Sequence, residues 1–68
     1  MWVTDRFILY VIEQAGGKIS KSELETITDL KYDALKNAES RLMFNRKIRK
    51  IHELIPGVGI RVFYELIK

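Results

Sequence analysis

The sequence contains no cysteine and only one histidine among its 68 residues. Without cysteine the chain forms no disulfide, and His52 alone supplies too few ligands for a structural metal site. We therefore expect no metal and no other cofactor. A chain this short buries only about 60% of the surface that its unfolded form exposes. We expect a single domain, residues 1–68, stabilised by one compact core, by a partner subunit, or by both.

Long apolar segments are also lacking. The longest apolar run, Phe7–Ile12, has six residues, whereas about 20 are needed to cross a bilayer. No basic segment precedes this run and no cleavage site of small residues follows it at the right place, so we expect no secretory signal. Since 47% of the residues are hydrophobic, an ordinary share for a globular protein, the sequence predicts a folded cytoplasmic protein that does not span a membrane.

Basic residues are concentrated in the second half of the chain, although the net charge is only +3. Residues 1–40 hold five basic and seven acidic side chains, whereas residues 41–68 hold seven basic and two acidic ones. Five of those seven basic residues lie between Arg41 and Lys50, a stretch without any acidic residue. Such a cluster is compatible with an ordinary solvated face, but its density is also typical of a surface that binds a polyanion.

Apolar residues at helical spacing predict a first helix that is capped by Thr4 or Asp5 and ends at the glycine pair 16–17. The residues expected to face the core are Ile8, Val11, Ile12 and Ala15. The link that follows, Lys18 and Ile19, is either extended chain or a two-residue edge strand, and it places Ile19 in the core.

A capping box predicts the start of a second helix, formed by Ser20 with Glu23 or by Ser22 with Glu25. This helix is expected to end at residues 28–29. Its expected core residues are Leu24 and Ile27.

The third predicted helix begins at Lys31 or Tyr32 and ends at Phe44, with Asn45 as a left-handed C-cap. The residues expected to face the core are Leu35, Ala38 and Leu42.

From Lys47 the pattern changes to short alternating segments on either side of the turn 56–59, which predicts a two-stranded antiparallel β-hairpin. Ile48 and Ile51 have opposite parity, so we expect a bulge or a late strand start in the first strand. The second strand alternates cleanly through Ile60, Val62, Tyr64 and Leu66. The predicted fold class is therefore α+β, with three helices followed by a hairpin.

Two helices joined by a short turn, the second with an exposed polar face, form the helix-turn-helix arrangement that places a helix in the major groove. On the third helix Lys36 and Arg41 can reach guanine or phosphate, and Asn37 can pair with adenine. Asp33 and Glu39 oppose uniform phosphate contact. The alternative is that these residues are merely the polar side of an amphipathic helix.

With this order of elements, the segments SKSELETI (20–27), LKYDAL (30–35) and LMFNRKI (42–48) make the sequence resemble the winged helix-turn-helix family over nearly the whole chain. The small size and the Ile- and Lys-rich composition are similar to compact regulators of archaea and their viruses. The resemblance implies that the helix at about 31–44 reads the major groove of double-stranded DNA while the hairpin, or wing, follows the backbone. The DNA-binding positions it implies are Lys31, Tyr32, Lys36, Asn37, Ser40, Arg41, Arg46, Lys47, Arg49, Lys50, His52 and Arg61.

The wing tip departs from the family pattern, because many DNA-binding wings end in Lys or Arg whereas residues 55–59 are apolar and uncharged. DNA contact is therefore expected at the wing base, residues 46–52. The tip suits a protein partner instead, through Ile55, Pro56 and Val58.

The leading hypothesis is a sequence-specific DNA-binding transcription regulator, located at the nucleoid or, for a viral protein, in the host cytoplasm. We expect a homodimer, because so small a chain carries surplus apolar residues: Trp2, Val3, Phe7, Tyr10 and Ile67. The alternative is an adaptor that binds other proteins. We do not expect an enzyme, because no nucleophile or carboxylate pair accompanies His52.

Overall fold

A computed structural model describes residues 2–67, which form three helices and one three-stranded antiparallel sheet. The helices are α1 (Val3–Gln14), α2 (Lys21–Thr28) and α3 (Tyr32–Phe44). The strands are β1 (Lys18–Ser20), β2 (Ile48–Ile55) and β3 (Gly59–Leu66), in the sheet order β1-β3-β2. The predicted α+β class is confirmed, but the sheet has three strands and not the two of the predicted hairpin. Within the described residues, no helix is long and apolar enough to cross a membrane.

The start of α1 differs from the prediction, whereas its end agrees with it. Trp2 occupies the N-cap position, so the expectation that Thr4 or Asp5 caps this helix is wrong. Asp5 lies in the first turn, is only 3% exposed and accepts hydrogen bonds from a side chain of α3, which explains why its carboxylate does not cap α1. The helix ends where the Gly17 N–H donates to the Ile12 carbonyl at 2.9 Å, in the glycine pair that the sequence indicated.

At the start of α2, the serine half of the predicted capping box is confirmed at Ser20. The Ser20 hydroxyl accepts a hydrogen bond from the Glu23 N–H at 3.2 Å. The helix ends at residues 28–29, as expected, and Asp29 adopts the left-handed conformation, with φ of 51°.

α3 ends at Phe44, as predicted, but the left-handed residue that follows it lies one position later than expected. Asn45 is not left-handed, since its φ is −84°, and the left-handed residue is Arg46, with φ of 57°. The N–H of Lys47 donates to the Leu42 carbonyl at 2.9 Å, which closes a Schellman motif around Arg46.

The sheet is regular and has no bulge. Residues of β2 and β3 pair without interruption from Ile48 opposite Leu66 to the turn, so the expected bulge or late start is wrong. The opposite parity of the two isoleucines has another cause: Ile48 faces the helices, whereas Ile51 lies on the outer face of the sheet, opposite Phe63. The sheet therefore carries apolar residues on both faces.

The third strand comes from the link between α1 and α2. Lys18–Ser20 pairs with the end of β3, with Ile19 opposite Tyr64. This makes β3 the central strand and brings Ile19 into the core, as predicted.

One hydrophobic cluster lies between the three helices and the inner face of the sheet in the described part of the chain. Its buried members are Ile8, Val11, Ile12, Ile19, Leu24, Leu35, Ala38, Leu42, Ile48 and Tyr64. Two residues predicted to belong to it do not. Ala15 lies beyond the last turn of α1, and Ile27 is 57% exposed because the short α2 buries only Leu24.

The contrast between Ile12 and Ile27 is testable by urea denaturation. Ile12 is completely buried, so Ile12→Ala should lower the free energy of unfolding by about 2–5 kcal/mol through lost burial and the cavity left behind. Ile27→Ala, a matched control at an exposed site, should change it by less than about 0.5 kcal/mol. Equal losses in the two variants would contradict the placement of α2.

Candidate nucleic-acid interface

α3 presents a continuous polar surface on the side away from the core. Leu35, Ala38 and Leu42 fix which side is buried, and at 3.6 residues per turn the opposite side must face solvent. The exposed residues of this surface are Asp33, Lys36, Asn37, Ser40 and Phe44, with Lys31 and Tyr32 at its N-terminal end. All the predicted recognition-helix positions except Arg41 are therefore exposed.

Arg41 is turned toward α1 and is bound there. Its Nε donates to Asp5 Oδ2 at 2.9 Å and its Nη2 to Asp5 Oδ1 at 2.8 Å, and its guanidinium lies 4.6 Å from the centroid of the Trp2 ring. The hydrogen bonds to Asp5 raise the pKa of Arg41. A bidentate ion pair with the buried Asp5 carboxylate holds α3 against α1. The charge of Arg41, which the sequence assigned to DNA contact, is therefore already paired.

The opposite flank of α3 is held through Glu39, whose side chain is only 14% exposed. Its carboxylate accepts hydrogen bonds from the Tyr64 hydroxyl of β3 and, at 3.0 Å, from Lys50 Nζ of β2. Burial alone would raise the pKa of Glu39, but these two hydrogen bonds and the charges of Lys50 and Lys21 outweigh it, and the pKa is lowered. Burial, with the hydrogen bond to Glu39, raises the pKa of Tyr64. Lys50 is thus a structural partner of α3.

The basic cluster between residues 41 and 50 does not form one surface. Arg49 and Lys50 are consecutive in a strand and so point to opposite faces of the sheet, where Arg49 pairs with Glu65 and Lys50 with Glu39. Arg46 and Lys47 are exposed at the far end of α3 and have no ion-pair partner among residues 2–67. The basic residues that lie close together in the sequence therefore point in several directions in the structure.

A different set of cations comes together beside the first two turns of α3. A cavity of about 90 Å³ opens where the start of α2, the side of α3 and β2 meet. It is lined by Lys21, Tyr32, Leu35, Lys36, Glu39 and Lys50. Lys36 Nζ lies 5.8 Å from the centroid of the Tyr32 ring. Within the described chain Lys21 and Lys36 form no ion pair, so two free ammonium groups flank this groove.

Lys21 was missed by the reasoning from sequence. It is the first residue of α2, just after the capping serine, and no local pattern distinguishes it from any other exposed lysine. Only the approach of β2 and α3 brings it beside Lys36. This approach depends on contacts distant in sequence.

The two remaining predicted residues lie on the hairpin and point in different directions. His52 is opposite Val62 on the inner face of the sheet, and Arg61 is opposite Glu53 on the outer face. Both are exposed, and Arg61 has no ion-pair partner in the range 2–67. Because they lie on opposite faces of the sheet, they do not join into one surface.

Comparison with known proteins adds no further assignment. No family model matches the chain, and neither the curated proteins nor the solved structures include one with significant similarity to it. The residues that the structure describes also hold no group of three or more His, Cys, Asp or Glu side chains that could bind a metal ion. The candidate interface is therefore defined only by the contacts between residues of this chain.

The lowered pKa of Glu39 predicts a pH dependence of stability. Because the folded pKa lies below the ordinary value of 4.5, the carboxylate stabilises the fold above pH 4.5, and this contribution is lost as the pH falls through the folded pKa. Glu39→Gln should therefore be less stable than the wild type at pH 7, and the difference should shrink on acidification.

Urea denaturation at pH 7, 5, 4 and 3 measures this difference. The matched control is Glu53→Gln, which removes an exposed carboxylate that pairs with Lys18 and should change stability little at any of these pH values. An unchanged gap between wild type and Glu39→Gln from pH 7 to pH 3 would show that the carboxylate charge does not hold α3.

Proposed function

We propose that this chain is a winged-helix protein that binds double-stranded DNA in a sequence-specific manner, with α3 in the major groove. The proposal rests on one observation, which is that ion pairs fix the position of α3 on both of its flanks. Asp5 with Arg41 fixes one flank and Glu39 with Lys50 fixes the other, while the outward face keeps its polar groups exposed. A rigidly positioned polar helix can present side chains to base edges in one register.

The arrangement of elements is compatible with this function. α2 and α3 are separated by the three residues 29–31, which is the length of turn found in helix-turn-helix motifs. The hairpin of β2 and β3 follows α3 directly, as a wing would. The order α1-β1-α2-α3-β2-β3 therefore supports the winged-helix proposal.

The contacts divide the candidate residues into three groups. Arg41 and Lys50 are proposed to position α3, since their charges are already bonded to carboxylates. Base reading is proposed for Lys36 and Asn37, which are exposed in the middle of the outward face. Phosphate contact is proposed for the exposed residues Lys31, Tyr32, Ser40 and Arg61 and for the half-buried Lys21.

A second candidate function, docking of another protein, is favoured by the end of the hairpin. Leu54 and Ile60 are paired across β2 and β3 and are strongly exposed, as is Val58 in the turn between them. Apolar residues at this point would gain nothing from a phosphate backbone. At about 50 mM salt nonspecific attraction to DNA is strong. If the protein binds no duplex DNA under these conditions, the result favours this second function over DNA binding.

Phosphate contact by Lys21 and Lys31 predicts a specific change in salt dependence. Lys21→Ala with Lys31→Ala should weaken binding to all duplexes alike and reduce the slope of log affinity against log salt by about 2 units. The control is Lys18→Ala with Arg49→Ala, which removes the same charge from the outer face of the sheet. Fluorescence anisotropy between 50 and 300 mM salt compares them, and equal slopes in the two double variants would contradict the proposed surface.

Base reading by Asn37 predicts a change in preference. Selection from a random duplex pool should enrich one motif with the wild type, and Asn37→Ala should lose discrimination at one position, by about 1–3 kcal/mol. Asp33→Asn should behave oppositely, since removing a negative charge from the same face raises affinity for every sequence without changing the motif. Recovery of the same motif with wild type and Asn37→Ala would remove Asn37 from the reading set.

A further inference from the structure

The outer face of α1 carries apolar side chains that the described chain does not cover. Val3 is 82% exposed, Phe7 42% and Tyr10 57%. These residues, with Gln14, are separated by four, three and four positions, which is the a/d spacing of a helix that packs along another helix. They lie on the side opposite Ile8 and Ile12, which face the core.

The uncovered area is large for so small a chain. An aromatic side chain buries about 150–250 Å² when covered, so the exposed parts of Phe7 and Tyr10 alone amount to on the order of 200 Å². Val3 adds to this area. The patch is nevertheless well below the roughly 800 Å² per partner of a standard interface, so it suits a dimer that dissociates reversibly.

The charges beside this stripe indicate which partner fits. Arg6 and Glu13 lie seven residues apart along the same side of the stripe, about 10 Å along the helix axis, and in the range 2–67 neither forms an ion pair. They are too far apart to pair with each other. In an antiparallel pair of α1 helices, Arg6 of each copy lies beside Glu13 of the other, and two-fold symmetry makes the contact twice. A parallel pair would bring no carboxylate to Arg6, because the residues on the other side of the stripe, Thr4 and Val11, are uncharged.

We propose that this chain forms a homodimer in which the outer face of α1 packs antiparallel against the same face of a second copy. Val3, Phe7 and Tyr10 form the apolar seam, and Arg6 with Glu13 of the other copy sets the direction. The interface is on α1, away from the outward face of α3, and it does not depend on the proposed binding of DNA.

Charge reversal tests the interface without DNA. Sedimentation velocity at low ionic strength, over about 1–200 µM protein, should show a reversible dimer for the wild type. Arg6→Glu and Glu13→Arg each place like charges at both symmetric contacts, so each should raise the dimer dissociation constant about tenfold or more. Both positions are exposed, so the variants should keep the wild-type circular dichroism spectrum.

The decisive measurement is the mixture. An equimolar mixture of Arg6→Glu and Glu13→Arg proteins pairs opposite charges at both contacts and should restore the dimer, as should the double variant R6E/E13R. The control, Arg61→Glu, reverses an exposed cation on the hairpin and should dimerise as the wild type does. A wild type that stays monomeric at 200 µM overturns the proposal, and so does a dimer that either single reversal leaves unchanged. A mixture that remains monomeric excludes the antiparallel pairing.

Discussion

The hydrogen bond between Tyr64 and Glu39 is the contact on which the position of α3 depends. Tyr64 is almost completely buried in the central strand, with Ile19 of β1 on one side and Lys50 of β2 on the other. Its hydroxyl must find a partner, because a buried polar group without one is costly. Glu39 supplies that partner, and Lys50 neutralises the carboxylate. One residue therefore links all three strands to α3.

The same constraint determines which cations are free to bind a ligand. A carboxylate that is mostly withdrawn from water requires a charged or hydrogen-bonding partner, and in this chain the partners are taken from the basic cluster. Arg41 is paired with Asp5 and Lys50 with Glu39. Of the five cations in the basic cluster, only Arg46 and Lys47 therefore form no ion pair within residues 2–67. Lys21 and Lys36, beside the first turns of α3, are likewise without an ion pair in that range.

Local features of the sequence predicted the helices well, whereas contacts between residues distant in sequence could not be predicted from it. The Ser20 cap and the spacing of Leu35, Ala38 and Leu42 lie within single helices, and the structure agrees with them. The strand at Lys18–Ser20 has only three residues and depends on pairing with β3, more than forty residues away. The exposed positions of α3 could be predicted from helical period, but the ion pair of Arg41 could not, since its partner Asp5 lies in another helix.

The two apolar surfaces outside the core show why a second copy is the expected cover for α1. On the outer face of the sheet, Phe63 lies beneath Lys18, whose ammonium is 4.9 Å from the ring centroid and also pairs with Glu53. The long side chains of the sheet thus shield their own apolar residues from water. Within residues 2–67, no strand or helix lies on the outer side of α1 to supply such a shield. The charges along its apolar stripe are Arg6 and Glu13. In an antiparallel pair of α1 helices, each of these charges lies beside the opposite charge of the other copy. A second α1 helix therefore matches both the apolar surface and the charges.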